Sequence, residues 1–129
     1  MATYKAPLDD MRFVLHDVFE AEKVWASMPA TAEVTRDLAD AILEEAGKMT
    51  EGLMFPLNRS GDEEGCQWND GVVTTPTGFK EAFKTFAENG WTALSGNPEY
   101  GGQGMPKSLA VLFEEMMHAA NTSFALYPL

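Results

Sequence analysis

Cysteine occurs once in these 129 residues, at Cys66. A lone cysteine excludes an internal disulfide and a cysteine-based metal cluster, and it fits a reducing compartment. Basic residues are scarce, with 9 Lys+Arg against 20 Asp+Glu and a net charge of −11. The deficit holds along the chain: residues 1–60 carry 6 basic and 11 acidic groups, and residues 61–129 carry 3 and 9. No stretch has the basic footprint that phosphate neutralisation needs, so nucleic acid and anionic membrane are poor partners. No apolar run approaches the ~20 residues of a membrane span. The first ten residues lack the charged and apolar regions of a signal peptide and are too acidic for a transit peptide. The expectation is a soluble, acidic, cytoplasmic domain with no membrane insertion.

What is present is helical periodicity. Pro7 and the pair Asp9-Asp10 mark a helix start, after which Met11, Val14, Leu15, Val18, Phe19 and Trp25 fall mostly on one face. Ser27-Met28-Pro29 ends that helix. Thr31 is the expected cap of a second, long helix, with Glu33 and Asp37 near its positive end. Its stripe is Val34, Leu38, Ile42, Met49, Leu53 and Leu57, with a slight kink at Pro56. Residues 58–65 read as turn chemistry, and Val72–Thr75 as a short extended piece. Thr77 is the expected cap of a third helix, with Phe79, Ala82, Phe83 and Phe86 inward and Asn89-Gly90 as its stop. A second loop, Ser95–Met105, holds four glycines. Pro106 opens a fourth helix with Leu109, Leu112, Phe113, Met116, Met117 and Ala120 inward, ended or kinked at Asn121-Thr122. The reading is an all-α, small up-and-down domain of about four helices with long Gly/Pro-containing loops. The apolar run Ser123–Leu129 is expected to leave Phe124, Leu126, Tyr127 and Leu129 exposed, as at the start of a further buried element.

No complete active site emerges from the residues alone. Gly101–Ser108 nearly fits a phosphate loop, but Pro106 replaces the sixth-position glycine and has no N–H to offer. The expected role of the segment is a tight turn into the fourth helix, with Tyr100 as packing anchor. Glu115-Met116-Met117-His118 has the Glu-x-x-His spacing of di-iron bundles, yet the second unit is absent because Phe13 precedes His16 by three. His16 and His118 read as packing or surface histidines, and no metal is expected. Cys66 follows Asp62-Glu63-Glu64, whose charges oppose thiolate formation.

The loops themselves carry a resemblance. Pro56-Leu57-Asn58-Arg59, Asp62, Gly65 and Val73-Thr74-Thr75-Pro76-Thr77-Gly78-Phe79-Lys80 resemble the amino-terminal region of the acyl-CoA dehydrogenases. So do Gly90-Trp91, the segment Glu99–Pro106, and Glu114-Glu115 with Ala120–Phe124. Tyr4–Leu8 and Met11–Leu15 are similar to the extra leading helix of one bacterial branch, which includes the 3-methylmercaptopropionyl-CoA dehydrogenases.

The resemblance implies a leading segment over 1–30 and the family's helical domain over 31–129, cut before a middle β domain. It implies a flavoprotein oxidoreductase of fatty-acid metabolism, using FAD to oxidise an acyl-CoA to the trans-2-enoyl-CoA. A glutamate base and the flavin N5 act at the α and β carbons. Both the base and the flavin-contacting segment are placed outside this sequence, so no catalytic or cofactor-binding residue is assigned and the chain alone is expected to be inactive. Phe124, Tyr127 and Leu129 are the implied substrate-pocket residues. The implied partners are an acyl-CoA, an electron acceptor and further copies in a homo-oligomer. The alternative, from another class, is a stand-alone helical binding or assembly module without catalysis.

Overall fold

The computed structural model describes residues 3–128, and the chain is mostly helical. Leu129, one of the three implied pocket residues, lies outside the described residues. Helix α1 (Leu8–Arg12) runs into a π-helical turn (Phe13–Val18), and after a break α2 follows (Ala21–Ala26). The single leading helix expected from periodicity is therefore divided. The wider π turn and the left-handed backbone of Glu20 (φ 46°) rotate the stripe, so Met11, Leu15, His16 and Trp25 face inward. Val14, Val18 and Phe19, expected on the inner face, are exposed.

The leading segment docks on the rest of the chain at defined points. Ala6 N–H donates to Glu51 Oε1 (2.8 Å), and Trp25 Nε1–H donates to Ser108 Oγ (3.1 Å). Ala6 and Leu8 lie over Gly47, where an added methyl would meet them at 3.4 and 3.5 Å.

The second helix begins later than expected. Thr35, not Thr31, is its cap, with Oγ1 accepting from Leu38 N–H at 3.2 Å, while Thr31 donates to the Trp25 carbonyl. From there one rod runs through α3 (Arg36–Met49), a π-helical turn (Thr50–Met54) and α4 (Pro56–Glu64). Proline at position 56 has no N–H and crowds the preceding turn, and the chain answers by widening that turn instead of kinking sharply. Residues 58–64, expected as turn, stay helical until Gly65 at φ 66°.

The buried face of the rod is also offset by one residue from the expected stripe. Ala39, Leu43, Ala46, Thr50 and Met54 are buried, and Leu38 is exposed. Small residues let α6 (Lys107–Ala125) approach closely along α3 and α4, while Ile42, Met49, Leu53 and Leu57 flank the contact.

Between α4 and α5 (Phe79–Glu88) stands a two-stranded antiparallel hairpin, β1 (Gln67–Asn69) and β2 (Val72–Thr74). Asp70 and Gly71 turn it with positive φ (46° and 83°), the conformation an Asp-Gly hairpin loop requires. Helix α5 starts from a left-handed Gly78, not from a Thr77 cap. Thr77 instead donates through N–H and Oγ1 to the Glu64 carboxylate, both at 2.9 Å, closing the base of the hairpin. Asn89-Gly90 ends α5, as expected.

Helix α6 buries Leu109, Phe113, Met116, Met117 and Ala120, matching the expected stripe. It then bends at Asn121 (φ −160°, ψ 89°) and continues to Ala125. The bend carries Phe124 into the core, at 1% exposure, so it is not part of an exposed tail; Leu126 and Tyr127 are exposed. No helix among the described residues is long and apolar enough to cross a membrane.

Candidate functional site: an aromatic cleft at the bend of α6

Helix α5 turns Phe79, Phe83 and Phe86 toward the last turn of α6, where Phe124 meets all three. The ring centroids lie 6.0 Å from Phe79, 6.4 Å from Phe83 and 5.9 Å from Phe86, the last edge to face. Such tilted and edge-on pairs satisfy the ring quadrupoles as well as burying area. Phe79 can lie this low because Gly61 of α4 has no side chain, and a methyl there would come within 2.5 Å of the ring.

Beside this cluster opens a cleft of about 350 Å³. Phe79, Phe83, Phe124 and Tyr127 line it, with Thr75 and Lys80 as its polar members. The cleft is thus apolar along its walls, with one cation and one threonine on its lining. Tyr127 stands at its edge beside Cys66. Partial burial, and then the neighbouring thiol, push the Tyr127 phenol above its ordinary value. The exposed Cys66 and the lining residue Thr75 flank the two ends of the hairpin.

Two of the three residues implied as pocket wall, Phe124 and Tyr127, therefore share one cleft. Phe79 and Phe83 belong to the same lining, although their spacing marks them only as inward helix positions; Phe79 is buried as expected, whereas Phe83, at the open side of the cleft, is 40% exposed. Thr75 and Lys80 were visible only within a loop motif.

The remaining candidates fall elsewhere. His118 Nδ1–H donates to the Glu114 carbonyl of its own helix (2.8 Å), and Glu115 is exposed. His16 is buried, with Nε2 2.8 Å from Asp40 Oδ1, while Arg12 reaches Glu44 at 2.6 Å. Among the described residues no group of three or more His, Cys, Asp or Glu side chains is placed to hold a metal ion.

The glycine-rich loop spends its donors on itself. The N–H groups of Gly101, Gly102, Gln103, Gly104 and Met105 bond to the carbonyls of Pro98, Asn97, Ala93, Gly96 and Leu94, at 2.9–3.1 Å. None of these five is left to point at a phosphate. Tyr100 is 87% exposed and does not anchor this loop, which these bonds hold instead.

No protein-family model matches the chain. Over 127 residues, 98% of its length, the chain is 36% identical to a 3-methylmercaptopropionyl-CoA dehydrogenase of Ruegeria pomeroyi. The aligned stretch is 21% of that protein, so the chain spans about a fifth of the length of the relative it matches. The likeness to an acyl-CoA dehydrogenase sequence thus runs through nearly the whole chain and is not confined to the loop motifs.

Proposed function

We propose that the chain is the helical front part of a flavin-dependent acyl-CoA dehydrogenase and that its cleft forms part of the wall of the acyl pocket. The observation that carries this reading is the 36% identity sustained over 98% of the chain. The apolar cleft at the bend of α6 supports it, since an acyl chain needs a wall without unsatisfied polar groups. Phe124 and Tyr127, with Leu129 beyond them, are the proposed wall residues. Residues 1–30 serve as a leading segment and 31–129 as the helical domain.

In this reading the parent oxidises an acyl-CoA between its α and β carbons and passes the electrons to a separate acceptor. It works as a cytoplasmic homo-oligomer. The catalytic base and the flavin segment belong to the remainder of the parent. The self-bonded amides of the glycine-rich loop do not fit a dinucleotide diphosphate, which supports assigning FAD away from this loop. This chain supplies shape and exclusion of water.

The test is the complete gene product containing this chain, assayed with a series of acyl-CoAs and an artificial electron acceptor. Acyl-CoA-dependent reduction is expected, with a chain-length profile that shifts in alanine variants of Phe124, Tyr127 and Leu129. A gene product that reduces no acceptor with any acyl-CoA overturns the dehydrogenase reading in favour of a helical binding module. Activity with unchanged profiles in all three variants overturns the wall assignment alone.

A further inference from the structure

The two aromatic walls of the cleft are referenced to the same rod. On one side, Phe79 rests on the bare backbone of Gly61 in α4. On the other, Asn121 reaches the rod at its π turn, donating from Nδ2 to the Met54 carbonyl at 3.0 Å with both residues buried. That carbonyl is free for a reason. Phe55 N–H bonds back to Thr50, and Asn58 N–H goes to Phe55 instead of to Met54. The widened turn before Pro56 thus exposes an acceptor in the core, and Asn121 fills it.

The other end of the same side chain holds the bend. Asn121 Oδ1 accepts from Phe124 N–H (3.0 Å) and from Ser123 Oγ–H (3.2 Å), capping the last turn of α6 as a helix start would be capped. Tyr127 N–H then bonds to the Phe124 carbonyl at 3.1 Å, so the wall residue and the edge residue move together. Met54 and Gly61 are seven residues apart on the rod, roughly 10 Å at helical rise.

We infer that Asn121 is a specificity-positioning residue: its two-ended bond to Met54 and Phe124 sets how far Phe124 and Tyr127 stand from Phe79, and so which acyl length the cleft accepts. The inference rests on the pocket-wall reading above. Asn121 touches no substrate in this scheme; it acts through Phe124.

The test uses the complete gene product containing this chain, assayed for kcat/KM with butanoyl-, octanoyl- and dodecanoyl-CoA and an artificial electron acceptor. The unaltered protein is expected to discriminate among the three by roughly tenfold or more, the scale on which apolar pockets separate chain lengths. Asn121→Ser keeps an oxygen able to cap Phe124 but cannot span to Met54, and should flatten that preference while circular dichroism stays helical. Asn121→Asp supplies the control: its carboxyl can donate to Met54 only when protonated. Its preference should therefore strengthen as pH falls from 8 to 5, with the unaltered protein's preference flat across that range. Unchanged preference in both variants overturns the positioning role and leaves the wall reading standing. No turnover of any of the three acyl-CoAs by the unaltered protein overturns both.

Discussion

Asn121 and Met54 are 67 residues apart in sequence and joined by one buried hydrogen bond, from an amide side chain to a main-chain carbonyl. It links a bend in one helix to a π turn in another, so each irregularity satisfies the other. Replacing Asn121 by Ala strands the Met54 carbonyl and the Phe124 N–H in the core. The expected loss is about 2–4 kcal/mol, from two uncompensated polar groups. Urea unfolding followed by circular dichroism measures it, and a loss below about 0.5 kcal/mol would mean that water or relaxation replaces both bonds.

Phe124 and Tyr127 line one cleft but carry different shares of stability. Phe124→Ala removes a ring packed against three others and should cost about 3–5 kcal/mol. Tyr127, 52% exposed, should cost under about 1 kcal/mol as Ala. Equal losses in thermal or urea melts would show that the end of α6 packs otherwise.

Tyr4 gives an alkaline signature. Burial, and then the carboxylates of Glu115 and Glu51, hold its phenol above the ordinary 10.0. Below that value the folded and unfolded chains both keep the proton. Above it the unfolded chain ionises first, so stability falls as pH rises through the folded value. The hydroxyl itself is buried with no hydrogen-bond partner among the described residues. Tyr4→Phe is therefore expected to be neutral or stabilising by up to about 1 kcal/mol at neutral pH. Its stability should also decline less steeply above pH 10, and parallel pH–stability curves for the two proteins would contradict this.

The glycine-rich loop should ignore dinucleotides. The chain mixed with FAD and desalted is expected to stay colourless, because the five loop amides are already bonded. A stoichiometric yellow protein would refute that. Within the loop, Gly102→Ala drives a methyl into the Gly96 backbone and should unseat it, whereas Gly101→Ala meets open space and pays only for its φ of 85°.

Much of this architecture was legible where apolar spacing dominates, as in α6, whose inner stripe is the one observed. The rod was harder. Its buried face sets Leu43 and Met54 among Ala39, Ala46 and Thr50, which carry little hydropathic signal, so the more numerous large flanking residues suggested the neighbouring face. Glu20 broke the leading helix without a glycine or proline to announce it. The hairpin did have an announcement, the Asp70-Gly71 pair, but strands of three residues are too short to show alternation. In the cleft, the aromatic positions could be read as inward-facing. Their convergence with Thr75 and Lys80 could not, because it depends on a bend whose cause lies 67 residues away.

Every residue of β1 and β2 is exposed, including Trp68 at 73% and its cross-strand partner Val73. The pairing is closed at its foot by the Glu64 carboxylate gripping Thr77. With so little buried surface, such a ribbon is marginal by itself. Its amides therefore exchange with solvent through excursions that leave α3 and α6 intact, and at a pace unrelated to global unfolding. The hairpin is thermodynamically a separate compartment of the molecule.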